Sequence, residues 1–269
     1  MKKSVVIIFL ICGFLNIRAQ DRYFARTYTA NVLSKGALDL EFWHTSRIGH
    51  FDQYFHAQDQ RLEIELGIGN KLQTAFYFNR FQERLSTSAD GTETSNEIGF
   101  SNEWKWRVHD QSKRLPSIAL YGEWGMKGGD ELEIETKLIL DKWIGKNLIA
   151  FNLVPEYEGT FNWKNSKLQF EKWELPIEFV AAYMYSIKPT IGIGVEVTDQ
   201  NLITTRGWEN SVLLGGPSIN FRGSNWFVIA NYLPQWVNLR KTTTFPKNKD
   251  LDDHERAEFR ILLGISILN

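Results

Sequence analysis

Three carboxylates, Glu123, Glu133 and Glu156, stand at distances in the sequence that two tight turns would bring together. Antiparallel pairing about a Gly128 link sets Glu123 beside Glu133, and a second turn after Trp143 returns Glu156 to Glu133. Such an arc can hold a cation or repel anions, although neighbouring lysines and arginines also neutralise carboxylates in a wet interior. His44 and Ser46 form the only tight His-x-Ser pair. In an extended chain residues two apart share a face, as the base and nucleophile of a surface lipid hydrolase would need. Neither an oxyanion element nor a third partner accompanies them, and hydrolysis is the least favoured reading. The other histidines, His50, His56, His109 and His254, lack metal-ligand spacing. No cofactor or metal is expected, and no catalytic residue is assigned.

The elements that carry these residues are legible from period-2 alternation, which marks strands with two different faces. In Glu97–Val108 the positions Ile98, Phe100, Trp104, Trp106 and Val108 alternate with Glu97, Gly99, Ser101, Glu103, Lys105 and Arg107, and only Asn102 breaks the apolar row. Leu62, Ile64, Leu66 and Ile68 alternate with Arg61, Glu63, Glu65 and Gly67. The same holds for Leu132–Leu140 and for Glu258–Leu268. Segments of about 9–12 residues recur, the length a tilted membrane strand requires. They predict an all-β chain, a transmembrane up-and-down antiparallel β-barrel of about 12 strands. Their connections alternate between short and long, with the Lys127 link too short for its side, which sorts the turns to one end and the loops to the other.

Such a sheet crosses hydrocarbon only when closed, because an unpaired backbone amide costs several kcal/mol there. One face then meets lipid and the other the lumen. The expected lumen-lining residues are Glu63, Glu65, Glu97, Glu103, Lys105, Arg107, Glu123, Glu133, Glu135, Lys137, Glu156 and Arg260. The opposing possibility is a soluble sandwich or lipocalin-like barrel, in which the apolar face packs inward. Strand length, aromatics at strand ends and the sorting of connections favour the membrane.

The start, MKKSVVIIFLICGFLNIRAQ, has a basic head, an apolar core and a small residue at Ala19, the layout of a secretory signal peptide over 1–19. A lipoprotein signal is less favoured because Phe9 and Ile11 fit it poorly. The remaining 20–269 read as one domain without a linker. Cys12 is the single cysteine, so the exported chain has no thiol chemistry. Of 31 basic residues, Lys2, Lys3 and Arg18 leave with the signal, so 28 face 32 acidic ones and nothing favours nucleic acid.

The hairpin LEIELGIGNKLQTAFYFN, Leu62–Asn79, resembles the strand-turn-strand of transporter-like barrels such as the phenol meta-pathway outer-membrane family, and the signal ending in Ala-Gln resembles a style common in the Bacteroidetes. The resemblance implies the outer membrane of a Gram-negative cell and insertion by the barrel-assembly machinery. A departure is the ending ISILN, where such barrels usually carry an aromatic residue. The leading expectation is a passive channel or transporter-like pore for small-molecule solutes, embedded in outer-membrane lipid. The alternative is a non-conducting barrel whose surface loops bind a partner or ligand. The connection from Leu233 to His254 is the expected plug.

Overall fold

Alternating segments with one apolar face pair into a closed sheet in the computed structural model, which describes residues 22–51, 53–87, 91–164, 167–240, 248–252 and 254–268. The strands are β1 (Leu38–Ile48), β2 (Phe55–Gly67), β3 (Leu72–Thr87), β4 (Gly91–His109), β5 (Ser117–Lys127) and β6 (Glu131–Ile144). They continue as β7 (Asn147–Lys164), β8 (Lys167–Lys188), β9 (Ile191–Thr204), β10 (Gly207–Arg222), β11 (Trp226–Asn238) and β12 (Ala257–Leu268). Every strand pairs antiparallel with its chain neighbours, and β1 closes on β12, so the 12-stranded barrel has no free edge. Residues 1–21, with the expected signal peptide, lie outside the described part.

Several strands run further than their apolar alternation. β3 and β4 pair as far as Thr87 and Gly91, and β7 and β8 as far as Lys164 and Lys167. The chain over 84–87 and 91–94, and over 158–164, is therefore ladder rather than loop. Beyond the apolar belt a polar sequence still satisfies its backbone best by cross-strand pairing.

Register corrects the expected carboxylate arc by one pair. Lys127 pairs with Glu131, and the intervening Gly128 and Gly129 both have positive φ, which glycine adopts without steric cost. This three-residue turn places Glu123 opposite Glu135 rather than Glu133, and the next pairing sets Glu135 against Glu156 and Glu133 against Glu158.

The apolar row points away from the barrel axis. Ile98 is 77% exposed, Phe100 37% and Leu263 40%, and Ile261 is half-buried, so these residues do not form a closed interior. Asn102, the polar break in that row, is buried by its own bonds: Nδ2 donates to Thr74 Oγ1 (3.0 Å) and the Ala75 carbonyl (2.8 Å), and Oδ1 accepts from Trp104 Nε1 (2.8 Å).

Buried apolar side chains lie on the inner side instead, around residues that precede the first strand. Ala25, Tyr28 and Ala30 cluster with Trp43, Ala119, Tyr121, Ile139, Phe227, Ile229 and Leu262, which come from β1, β5, β6, β11 and β12. The middle of the barrel is filled, and what fills it is residues 22–36.

Candidate functional site

Residues 22–36 contain no helix or strand, yet their backbone is paired with inward side chains of the wall. The segment enters at the end of the barrel where the short turns lie: Asn220 and Arg222, at the close of β10, donate to the carbonyls of Tyr23 and Arg22. It rises to Arg26, where the main-chain N–H groups of Ala25, Arg26 and Thr27 donate to the Glu196 carboxylate at 3.0, 2.8 and 2.8 Å. Asn231 Nδ2 and the Thr27 hydroxyl complete that carboxylate at 3.0 Å each. From there it turns back. Tyr28 exchanges two bonds with Asn152, Ala30 N–H donates to Asp141, and Leu33 N–H donates to Gln73 Oε1 at 2.8 Å. Gly36 N–H reaches the Gly67 carbonyl at 2.7 Å before β1 begins. A Cβ on Gly67 would stand 1.9 Å from the Ser34 carbonyl oxygen, so this close approach requires glycine.

Side chains of the segment meet opposite charges on the wall. The Arg26 guanidinium bonds Glu258 at 2.6 Å and also Glu178, which joins β12 to β8 across the interior. Arg22 lies 3.8 Å from Glu41 and stacks over Tyr28 and Trp43, with centroid distances of 3.5 and 4.5 Å. Buried ions survive only when partnered, and here the partners come from both the wall and the insert.

The sequence-expected residues fall into four groups. Glu63, Glu65, Glu103 and Lys105 are fully buried beside the segment. Gln73 Nε2 donates to Glu65 and Glu103 at 3.2 and 3.4 Å, and the Tyr77 hydroxyl donates to Glu103. Glu123, Glu135, Lys137 and Arg260 surround the apex: Glu123 receives the Tyr121 hydroxyl and lies 3.7 Å from Arg61 on β2, and Lys137 bonds Glu135 over the faces of Tyr28 and Tyr121. Arg260 donates to Thr45 at 2.9 Å and lies 3.5 Å from Glu258. Glu133 and Glu156 are half-buried toward the loop end. The rims hold the rest: Glu97 is exposed 3.9 Å from Lys127, and Arg107 sits at the turn end 2.9 Å from Asp110.

Two expectations change. The described part of the Leu233–His254 connection runs on as β11 to Asn238, then folds at the loop mouth, where Gln235 Nε2 donates to the carbonyls of Asp250 and Glu255. Lys241 and Lys247 of that connection lie outside the described residues, Arg240 stacks toward Trp208, and the segment running through the lumen is 22–36. Ser46 pairs not with His44 but with His56 Nε2, at 2.9 Å, and among the described residues no carboxylate completes a triad. A further grouping is Glu41, Glu63 and Glu65, whose carboxylate oxygens lie within 4.8 Å of one another, where Arg22 supplies positive charge. Sequence reasoning missed Arg22, Arg26, Glu178, Glu196 and Glu258; the one available signal was an aromatic and threonine-rich RYFARTYTANVLSKG before the first strand, with no period to assign it.

The family model described as a family of unknown function, DUF6662, matches residues 16–114 and 121–267. The chain belongs to this family. No curated protein matches it. Among solved structures it is similar to the COG4313 outer membrane channel from Pseudomonas putida F1, at 9% identity and TM-score 0.60, with 88% of this chain and 98% of that chain covered. It is also similar to the translocator domain of the autotransporter NalP from Neisseria meningitidis, at 8% identity and TM-score 0.58, covering 86% and 88%. A KdgM porin, in complex with disordered oligogalacturonate, matches at 10% identity and TM-score 0.52, covering 85% and 99%. At these identities the likeness is one of fold: the family member has the architecture of outer-membrane barrels.

Proposed function

We propose that the chain is an outer-membrane barrel acting as a passive channel or transporter-like pore for small molecules, held closed by its own residues 22–36. The carrying observation is the inversion of polarity. Leu62, Phe78, Ile98, Trp106, Ile149, Val195 and Ile265 are exposed on the outside, whereas Glu41, Glu63, Glu103, Lys105 and Glu196 are buried inside. A water-soluble protein rarely exposes an apolar belt of that extent, and a bilayer covers it. On this reading the signal peptide delivers the chain out of the cytoplasm, barrel-assembly machinery inserts it, and outer-membrane lipid surrounds it. The turn end then faces the periplasm and the loop end the outside.

A second reading, a non-conducting barrel whose loops bind a partner, is favoured by the same insert, since bonded residues fill the middle of the lumen. Planar-bilayer recording separates the two. Wild type is expected to pass little current, and a variant lacking residues 22–34 to pass much more. Silence from a correctly folded, shortened barrel would overturn the pore.

A further inference from the structure

The insert divides the lumen into two unlike cavities. Toward the loop end lies a space of about 220 Å³ whose walls carry both signs, including Arg61, Lys137, Asp59 and Glu178. Toward the turn end lies a vestibule of about 1000 Å³ with Lys35, Arg107, Lys146, Lys188 and Arg222 in its walls, and among the described residues no Asp or Glu lines it.

That imbalance follows from placement. Lys146 sits in the β6–β7 turn, Lys188 closes β8 and Arg222 closes β10, so successive hairpin ends each bring one cation to the same rim. Main-chain bonds hold these ends together, from Ser186 to Lys146 at 2.8 Å and from Arg222 to Thr190 at 3.0 Å. Lys35 comes from the returning arm of the insert. Arg107 and Arg222 are partly engaged, by Asp110 and by Asn220 with the Arg22 carbonyl, and the three lysines make no ion pair among the described residues. The carboxylates Glu41, Glu63 and Glu65 are fully buried and do not line the vestibule, and Arg22 lies 3.8 Å from Glu41.

We infer that the turn-end vestibule is an anion-collecting site, which takes small solutes bearing a carboxylate or phosphate group. A cleft lined by one sign of charge and walled by protein concentrates counter-ions beyond what separate surface charges achieve. The hydroxyl groups of Ser34 and Thr190 lie among the cations and can donate to the same oxyanion oxygens. The Tyr23–Trp143 pair, with ring centroids 5.2 Å apart, adds an apolar wall for the solute's body.

This rests on the pore reading for its biological use, but its test does not need current. Binding of inorganic phosphate and of citrate to the folded protein in uncharged detergent is measured by calorimetry, for wild type and for K35E/K146E/K188E, three exposed positions whose folding is checked by heat-modifiable migration. Wild type is expected to bind at least one of the two, tenfold or more tighter than the triple variant, with affinity falling as salt rises. Citrate binding alone marks a carboxylate site and phosphate binding alone a phosphate site. No binding to wild type, or equal binding to the variant, overturns the inference. Binding with no conductance from either full or shortened chain keeps the anion site and removes the pore, whereas conductance without anion binding does the reverse.

Discussion

Glu196 accepts the main-chain N–H of Arg26 at 2.8 Å, and with it those of the residues on either side. One inward carboxylate thus satisfies three consecutive backbone donors at the highest point of the insert. The barrel holds the segment by its backbone there, so any side chains compatible with the space would be held.

Replacing that carboxylate tests the arrangement. In Glu196→Gln one oxygen becomes an NH2 group that faces N–H donors, so the amide is expected to release the segment nearly as well as Glu196→Ala. Each should weaken closure by about 2–3 kcal/mol, the cost of leaving buried donors unmet. Single-channel recording should show more frequent openings for both, with barrel folding retained.

Arg26 is the second hold. Arg26→Ala leaves Glu178 and Glu258 without their shared cation, at a cost of about 3–5 kcal/mol. The paired change with E178Q and E258Q should recover most of the loss, as read by the temperature of heat-modifiable migration. A triple variant no better than Arg26→Ala would show that the ion pairs are not what the substitution breaks.

Gly67→Ala separates insert from wall. Its Cβ would collide with the Ser34 carbonyl, not with the ladder, so the returning arm must shift. Expected are faster cleavage of residues 22–36 by protease added to detergent-solubilised protein and an almost unchanged barrel melting point.

Lipid facing is tested at Leu263, outward in the middle of β12. Leu263→Arg should lower stability in bilayers by about 2–4 kcal/mol if the residue meets acyl chains. Urea titration of folding into vesicles reads it, and a variant as stable as wild type would argue for water outside the barrel.

Strand positions were legible because period 2 is a local signal: twelve alternating stretches are twelve strands. Pairing was less so. Glu123 opposite Glu135 depends on a Gly-Gly-Asp turn whose length shifts the register by one pair, and alternation on each strand is unaffected by that shift. The inserted segment was illegible for a different reason. Its partners Gln73, Asp141, Asn152, Glu196, Asn220 and Glu258 are scattered over six strands, and no local pattern in RYFARTYTANVLSKG records contacts so distant in the chain. The Ser46–His56 pair was missed likewise, because cross-strand neighbours rather than sequence neighbours made it.

Both limbs of the insert leave through one mouth, and only the returning limb is continuous with a strand. Tension on the chain ahead of Arg22 would therefore draw out the first limb as a thread is drawn from a hem, parting side-chain ties while leaving every rung between strands intact. Seven residues, 22–28, stretched at ~3.4 Å each, reach roughly 24 Å, so the first limb has the length to part from the wall while the returning limb stays tied at Asp141, Gln73 and Gly67.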